Sequence, residues 1–116
     1  RAVKQTESNR LSTAIEMLNS ALKYDPESED VFYRLAEALN KQGNYDDALT
    51  HANKALQLEK GGKSEKAKIY FEIGFAHQGK DNKPAACNAF SNAAFGAFKA
   101  PAEHKMEYEL KCETAR

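Results

Sequence analysis

The strongest constraint on the fold is a series of apolar residues at helical spacing on both sides of Gly43. Apolar residues that recur every three or four positions predict an amphipathic helix, and a glycine between two such runs predicts a tight turn. The residues that carry the pattern are Phe32, Leu35, Ala36, Leu39, Tyr45, Ala48, Ala52, Ala55 and Leu58. This part of the chain is therefore predicted to form two amphipathic helices joined by a tight turn.

The same pattern recurs elsewhere in the chain, which indicates a repeat protein. Ala14 aligns with Ala48 at an offset of 34 residues, and Ala38 aligns with Ala76 at an offset of 38. At the offset of 34, Leu18 also aligns with Ala52 and Ala21 with Ala55. At the offset of 38, Phe32 also aligns with Tyr70, Leu35 with Ile73 and Ala52 with Phe90. The four additional residues of the longer offset fall at residues 61–64, which we predict to be a flexible link between repeats.

These repeats resemble those of the tetratricopeptide repeat (TPR) family. The family pattern is Trp-x2-Leu-Gly-x2-Tyr, then Ala-x3-Phe, then Pro, over about 34 residues. The matching residues are Phe32, Leu35, Ala36, Leu39, Ala48 and Ala52 in the second repeat, and Tyr70, Ile73, Gly74, His77, Ala86 and Phe90 in the third. The chain departs from the pattern in having no Trp, Lys60 in place of the closing Pro, and His77 in place of the Tyr. The resemblance covers about residues 1–96 and implies an all-α solenoid of antiparallel helix pairs, wound into a right-handed superhelix.

The repeats divide the chain into four parts. These are a partial first repeat (1–27), a second repeat (28–62), a third repeat (63–99) and a C-terminal capping helix (100–116). We expect helices at about residues 1–7, 10–24, 28–42, 45–59, 65–79, 83–97 and 101–114. Gly43 is expected to end one helix with a positive φ, and Asn44 to cap the next. The capping helix carries Met106, Leu110 and Tyr108 on one face and is otherwise charged, as a terminal cap requires.

The N-terminal end of the array is predicted to be incomplete. The chain starts at Arg1, without Met and within a helical pattern, so we expect it to be a piece of a longer protein. Only the second helix of the first repeat is then complete. Without a full first helix to cover them, Leu11, Ile15 and Leu18 would be partly exposed. We therefore expect this end to pack against other sequence or against a second copy, which would form a homo-oligomer.

Charge and composition restrict the function. Lys plus Arg and Asp plus Glu both total 17, whereas nucleic-acid-binding proteins normally carry a basic excess. No apolar run approaches the roughly 18 residues that cross a membrane. His51, His77 and His104 lie on different predicted helices without ligand spacing, and no phosphate-binding or catalytic motif is present. We therefore predict no nucleic-acid binding, no membrane insertion, no metal or other cofactor, and no enzymatic activity within the chain.

The resemblance implies a non-catalytic interaction scaffold that binds a peptide or a partner protein. In TPR proteins, the first helices of the pairs line a concave face that binds extended peptides or partner helices. The residues carried over to that face are Tyr33, Glu37, Asn40, Lys41, Lys68, Phe71, Phe75 and Gln78. Phe71 and Phe75 lie four residues apart on one helix face, where they either contact a ligand or pack against a neighbouring helix.

Other interpretations remain open beside peptide binding. Some TPR proteins clamp a C-terminal carboxylate with Lys, Asn and Arg, but here only Lys68 fits, and Glu37 and Glu72 would repel the ligand. We therefore expect no such clamp. Alternatively, the repeats serve only as a structural or oligomerisation module that packs against itself or against adjacent domains. They could also recruit substrates for a catalytic domain outside this chain.

The two cysteines are placed to meet. Cys87 is predicted near the start of one helix and Cys112 near the end of the next, and their midpoint falls in the loop near Lys99 and Ala100. In an antiparallel hairpin, residues equidistant from the turn lie side by side. A disulfide would close a loop of about 25 residues and stabilise the cap by roughly 3 kcal/mol. A disulfide indicates an oxidising compartment, periplasmic or extracellular, whereas two free thiols indicate the cytoplasm.

Overall fold

Six α-helices make up the part of the chain that the computed structural model describes, namely residues 2–112, with side-chain surroundings from residue 10 onward. The helices are α1 (Ala2–Tyr24), α2 (Glu29–Gln42), α3 (Tyr45–Leu58), α4 (Lys63–Gly79), α5 (Lys83–Ala93) and α6 (Lys99–His104). A 3₁₀ turn (Gly96–Phe98) precedes α6, and a π-type turn (Lys105–Glu109) follows it. These residues contain no β-strand, so the all-α prediction is confirmed. Nor is any helix among them long and apolar enough to cross a membrane.

Consecutive helices pack against each other from α1 to α5, and α6 packs against α5. In addition, α2 contacts α4 directly, so these helices, which the sequence predicts to be the first helices of two repeats, lie side by side. Alanine dominates the buried positions, which are Ala36, Ala38, Ala48, Ala52, Ala55, Ala67, Ala76, Ala86, Ala89, Ala93 and Ala102. Because alanine has no side chain beyond Cβ, the helices approach closely.

A few large side chains fill the spaces that the alanines leave. Phe90, Leu35 and Ile69 are the largest fully buried side chains. The ring of Phe90 lies directly against the backbone of α4, where a Cβ added to Gly74 would come within 2.9 Å of three ring carbons. The glycine of the repeat pattern is therefore required by the close approach of Phe90.

Gly43 ends α2 as the sequence predicts. Its φ of +83° lies in the left-handed region, its N–H donates to the carbonyl of Asn40, and the N–H of Asn44 donates to the carbonyl of Leu39. Asn44 occupies the N-cap position of α3, but the prediction that its side chain caps the helix is wrong, since it makes no capping hydrogen bond. The carboxylates of residues 46 and 47 instead provide the negative charge that favours the first turn of α3.

Replacing Gly43 with alanine is expected to lower the free energy of unfolding by about 1–2 kcal/mol, because a left-handed conformation costs an L-residue that much. A Cβ at this position would meet no atom within 4 Å, so the loss is conformational alone. The control is Gly43→Asn, since asparagine tolerates the left-handed region better. Urea unfolding followed by circular dichroism measures both variants, and equal losses would contradict the conformational explanation.

The helix boundary predicted near residue 9 is wrong. The structure has a single uninterrupted helix, α1, where two helices at residues 1–7 and 10–24 were expected. Asn9 aligns with Gly43, but a residue with a side chain prefers the right-handed region and does not force a turn. The helical conformation therefore continues through this position.

The C-terminal boundaries also differ from the prediction. Helix α5 ends at Ala93 rather than at residue 97, because Phe95 is extended and Gly96 has a φ of +59°. The capping segment begins at Lys99, and its helical part ends at Glu109 rather than at residue 114. Lys111, with a φ of +53°, turns the chain away from the helix. Residues 113 and 114 of the predicted helix lie outside the described residues.

Candidate protein-interaction surface

Five of the predicted site residues come together where α2 and α4 lie side by side. Together with Glu72 they form what we call the α2–α4 surface, which consists of Tyr33, Glu37, Asn40, Lys41, Lys68 and Glu72. Tyr33 is 9% exposed, and the Nζ atom of Lys68 lies 4.9 Å from the centroid of its ring. The Cζ atom of Arg34 lies 5.9 Å from the same centroid. The contact with Lys68 connects α2 to α4, the contact with Arg34 lies within α2, and together they hold the tyrosine ring in place.

Asn40 joins the two helices by hydrogen bonds. It is only 3% exposed, and its Nδ2 donates to the backbone carbonyl of Glu72 at 3.0 Å and to the Oε1 atom of Glu72 at 2.8 Å. Its Oδ1 atom is buried and has no hydrogen-bond partner among the residues described. A buried acceptor without a donor costs about 1–3 kcal/mol, and this atom is covered by the protein itself.

Burial also shifts the titration of two groups on this surface. Desolvation raises the pKa of Glu72, and the nearby Glu37 raises it further, while the hydrogen bond from Asn40 opposes the shift. Burial raises the pKa of Tyr33 to about 12, with the charges of Glu37 and Glu72 adding to the effect. Negative charge is therefore unfavourable here, and a cationic or N–H-donating group would relieve it.

The ion pairs of this surface are long. The Nη1 atom of Arg34 lies 3.9 Å from Oε1 of Glu37, and Nζ of Lys68 lies 3.9 Å from Oε2 of Glu29. Lys41 is exposed and has no ion pair with a described residue. Partly exposed pairs of this kind contribute little to stability, so these charges are available to a ligand.

The other three predicted site residues contact the C-terminal part of the chain. The ring centroid of Phe71 lies 5.2 Å from that of Phe90 and 5.4 Å from that of Phe98. Phe75 packs against the cluster around Phe90, which Met106 also contacts. Phe71 and Phe75 are both half-buried. Of the two roles considered for Phe71 and Phe75, ligand contact or packing against a neighbouring helix, these contacts correspond to packing.

Charged residues beyond α6 also reach α4. The Nζ atom of Lys105 lies 5.0 Å from the ring centroid of Phe75. The Nε2 atom of Gln78 donates to Oε1 of Glu109 at 3.1 Å, and Lys105 donates to the same oxygen at 3.2 Å. These two hydrogen bonds lower the pKa of Glu109. Sequence analysis missed Lys105 and Glu109 because Glu109 is 31 residues from Gln78, and local periodicity carries no information about such a contact.

The identity of the repeats is decided by a comparison with known protein families. A family model described as tetratricopeptide repeat matches residues 5–69, more than half of the chain. The chain belongs to the tetratricopeptide repeat family. Among curated proteins, no sequence matches it. The residues that carry the TPR pattern in the second repeat, Phe32 to Ala52, lie within the matched range.

A disulfide ties the segment after α6 of this TPR chain to α5. It joins Cys87 on α5 to Cys112, and the two Cα atoms are 5.8 Å apart. The structure therefore brings together the two cysteines that the sequence places at equal distances from the intervening loop. The bond holds the segment in which Met106 and Leu110 pack against the cluster around Phe90.

The outer side of the TPR cap differs from the prediction at Tyr108. This residue is 64% exposed and does not share the packed face of Met106 and Leu110. The π-type turn changes the angular register of the residues that follow Lys105, and Tyr108 instead stacks against His104 with centroids 5.1 Å apart. Within residues 10–112, no group of three or more His, Cys, Asp or Glu side chains is arranged to hold a metal ion.

Proposed function

We propose that this TPR chain is a non-catalytic module that binds an extended segment of a partner protein along the α2–α4 surface. TPR repeats generally mediate protein–protein interactions. The observation that carries the proposal is the group of charged side chains that remain accessible where α2 and α4 lie side by side, namely Glu37, Lys41 and Lys68. An extended peptide presents backbone N–H and carbonyl groups along its length, and these suit the carboxylate of Glu37 and the ammonium groups of the two lysines.

The chemistry of the surface also indicates the kind of peptide. Glu37 and Glu72, whose pKa burial raises, favour a segment with N–H donors or a cationic side chain, whereas Lys41 and Lys68 suit carboxylates further along it. Gln78 on α4 donates a hydrogen bond to Glu109 and so connects α4 to the cap. Phe71 and Phe75 lie beside it, so a partner that reaches this end would also contact the cap.

A structural role remains the second candidate function. Leu11 and Leu18 on α1 are half-exposed, and Met17 between them is 67% exposed. Exposed apolar side chains in one place favour packing against another surface. Ile15 is half-exposed like Leu11 and Leu18, as the sequence predicts, and it also packs against the core around Leu39.

The test of peptide binding uses variants that leave the packed aromatic residues intact. Short random peptides are selected on the wild-type protein, and the recovered peptides are titrated by fluorescence anisotropy. The triple variant Glu37→Gln, Lys41→Gln, Lys68→Gln should bind them about tenfold more weakly, which corresponds to about 1.4 kcal/mol. Phe71→Ala and Phe75→Ala are unsuitable here because they would also disturb the cap.

The matched control makes the same change in charge elsewhere. Asp47→Asn, Lys54→Gln and Lys83→Gln lie at exposed positions of α3 and α5. This triple variant should bind the selected peptides as tightly as the wild type. If no peptide is recovered, or if both triple variants lose binding equally, the α2–α4 surface is not the binding site.

A further inference from the structure

A second surface of the chain is an apolar groove between α1 and α2. The groove is open to solvent, has a volume of about 350 Å³ and is lined by Leu11, Ala14, Met17, Leu18, Arg34, Ala38 and Lys41. No other described helix lines it. We call it the α1–α2 groove. It shares only Lys41 with the α2–α4 surface, so its occupation does not depend on the function proposed above.

One repeat later, the equivalent groove is filled. At the offsets of the repeats, Ala14 on α1 corresponds to Ala48 on α3, and Ala38 on α2 corresponds to Ala76 on α4. Leu39 of α2 forms one buried cluster with Ala48 and Ala76, and it is only 6% exposed. The chain therefore shows what fits between two such alanines, namely a leucine carried by a helix of the α2 type.

The charges of the α1–α2 groove indicate which type of residue should follow the leucine of an inserted helix. In the filled groove, Asn40 directly follows the inserted leucine and donates a hydrogen bond to Glu72. The residue that corresponds to Glu72 at the offset of 38 is Arg34. A guanidinium group has donors and no acceptor, so its partner must supply an acceptor, for which a carboxylate is the strongest choice.

We propose that the α1–α2 groove binds an amphipathic helix of a partner protein that inserts a leucine between Ala14 and Ala38, followed by Asp or Glu to meet Arg34. Both charged residues that line the groove, Arg34 and Lys41, are cationic, which complements an acidic flank on the helix. A second copy of this chain fits less well. A two-fold contact through α1 would bring two sets of these cations together.

The test uses a helical probe that the chain itself provides. Synthetic peptides of residues 28–43, in the natural sequence and with Asn40→Glu, are labelled and titrated against the full chain by fluorescence anisotropy. The Asn40→Glu peptide should bind about two- to fivefold more tightly, the range expected for one partly exposed ion pair. That advantage should disappear against the Arg34→Gln protein.

Two matched protein variants separate the groove from the rest of α1. Met17→Glu adds a carboxylate inside the groove and Ser20→Glu adds one at an exposed position outside it. Met17→Glu should abolish peptide binding, whereas Ser20→Glu and the Lys68→Gln variant of the α2–α4 surface should bind normally.

Three results would overturn the proposal. The first is that neither peptide binds, or that both bind equally. The second is that Met17→Glu leaves binding unchanged. The third comes from sedimentation of the chain alone, if the wild type forms a dimer that Met17→Glu dissociates, because a second copy would then be the occupant.

Discussion

Replacing Phe90 with alanine should lower the free energy of unfolding by about 3–5 kcal/mol, as is usual when a fully buried phenylalanine is truncated. Phe90 has no exposed surface and lies at the centre of the cluster that joins α4, α5 and the cap. Its ring packs on Gly74, which has no side chain that could move into the vacated space. A cavity should therefore remain, and the loss should lie toward the upper end of this range.

Urea unfolding followed by circular dichroism measures this loss, with Phe95→Ala as the control. Phe95 is only half-buried and contacts Lys63 at the surface, so its truncation should cost much less. A second substitution tests the role of Gly74. Gly74→Ala should destabilise the wild type, because its Cβ would lie 2.9 Å from the Phe90 ring, but not the Phe90→Ala variant. If Gly74→Ala has the same effect in both backgrounds, the contact between Gly74 and Phe90 does not limit packing.

Breaking the disulfide between Cys87 and Cys112 should lower the free energy of unfolding by about 3 kcal/mol, the value that loop entropy gives for this separation. The separation is 25 residues, and the bond fixes the cap segment against α5. Without the bond, Met106 and Leu110 should leave the cluster around Phe90 more readily, which would expose Phe75.

The double variant Cys87→Ser, Cys112→Ser and the reduced wild type should show the same loss by urea unfolding. Dithiothreitol should not change the double variant, which serves as the control for effects of the reductant itself. The intact mass after alkylation under non-reducing conditions gives an independent readout. Addition of two alkyl groups to the folded, oxidised protein would show that the bond does not form, and unchanged stability after reduction would contradict its stabilising role.

Local signals account for the parts of the fold that the sequence predicts well. Helices α2 and α3 end within a residue or so of their predicted positions because Gly43 marks their boundary and the apolar spacing is regular on both sides. The repeat pattern also places Gly74 against a large side chain of the next helix. Asn9 gave no comparable signal, because asparagine permits a turn without requiring one. Gly96 indicates that α5 ends early, but the helical spacing of the apolar residues around it favoured a longer helix.

The candidate surface was predictable where it depends on spacing within one helix or on the repeat offset. Tyr33 and Glu37 share a helix face at four residues, and the repeat offset brings Lys68 beside them. The position of Phe71 and Phe75 under the cap depends instead on where the chain returns after residue 95. That return is set by the turn at Gly96 and by the disulfide, and neither follows from the periodicity of α4.

The disulfide also has a mechanical consequence for a module that is held at both ends. Because Cys87 is bonded to Cys112, a pulling force is transmitted directly from one cysteine to the other and bypasses the residues between them. At about 3.6 Å per extended residue, a loop of roughly 25 residues withholds about 90 Å of contour length from the stretched chain. Under tension, α1 to α4 would extend while the residues inside the closed loop would not. Reduction of the disulfide would then allow the loop residues to extend as well.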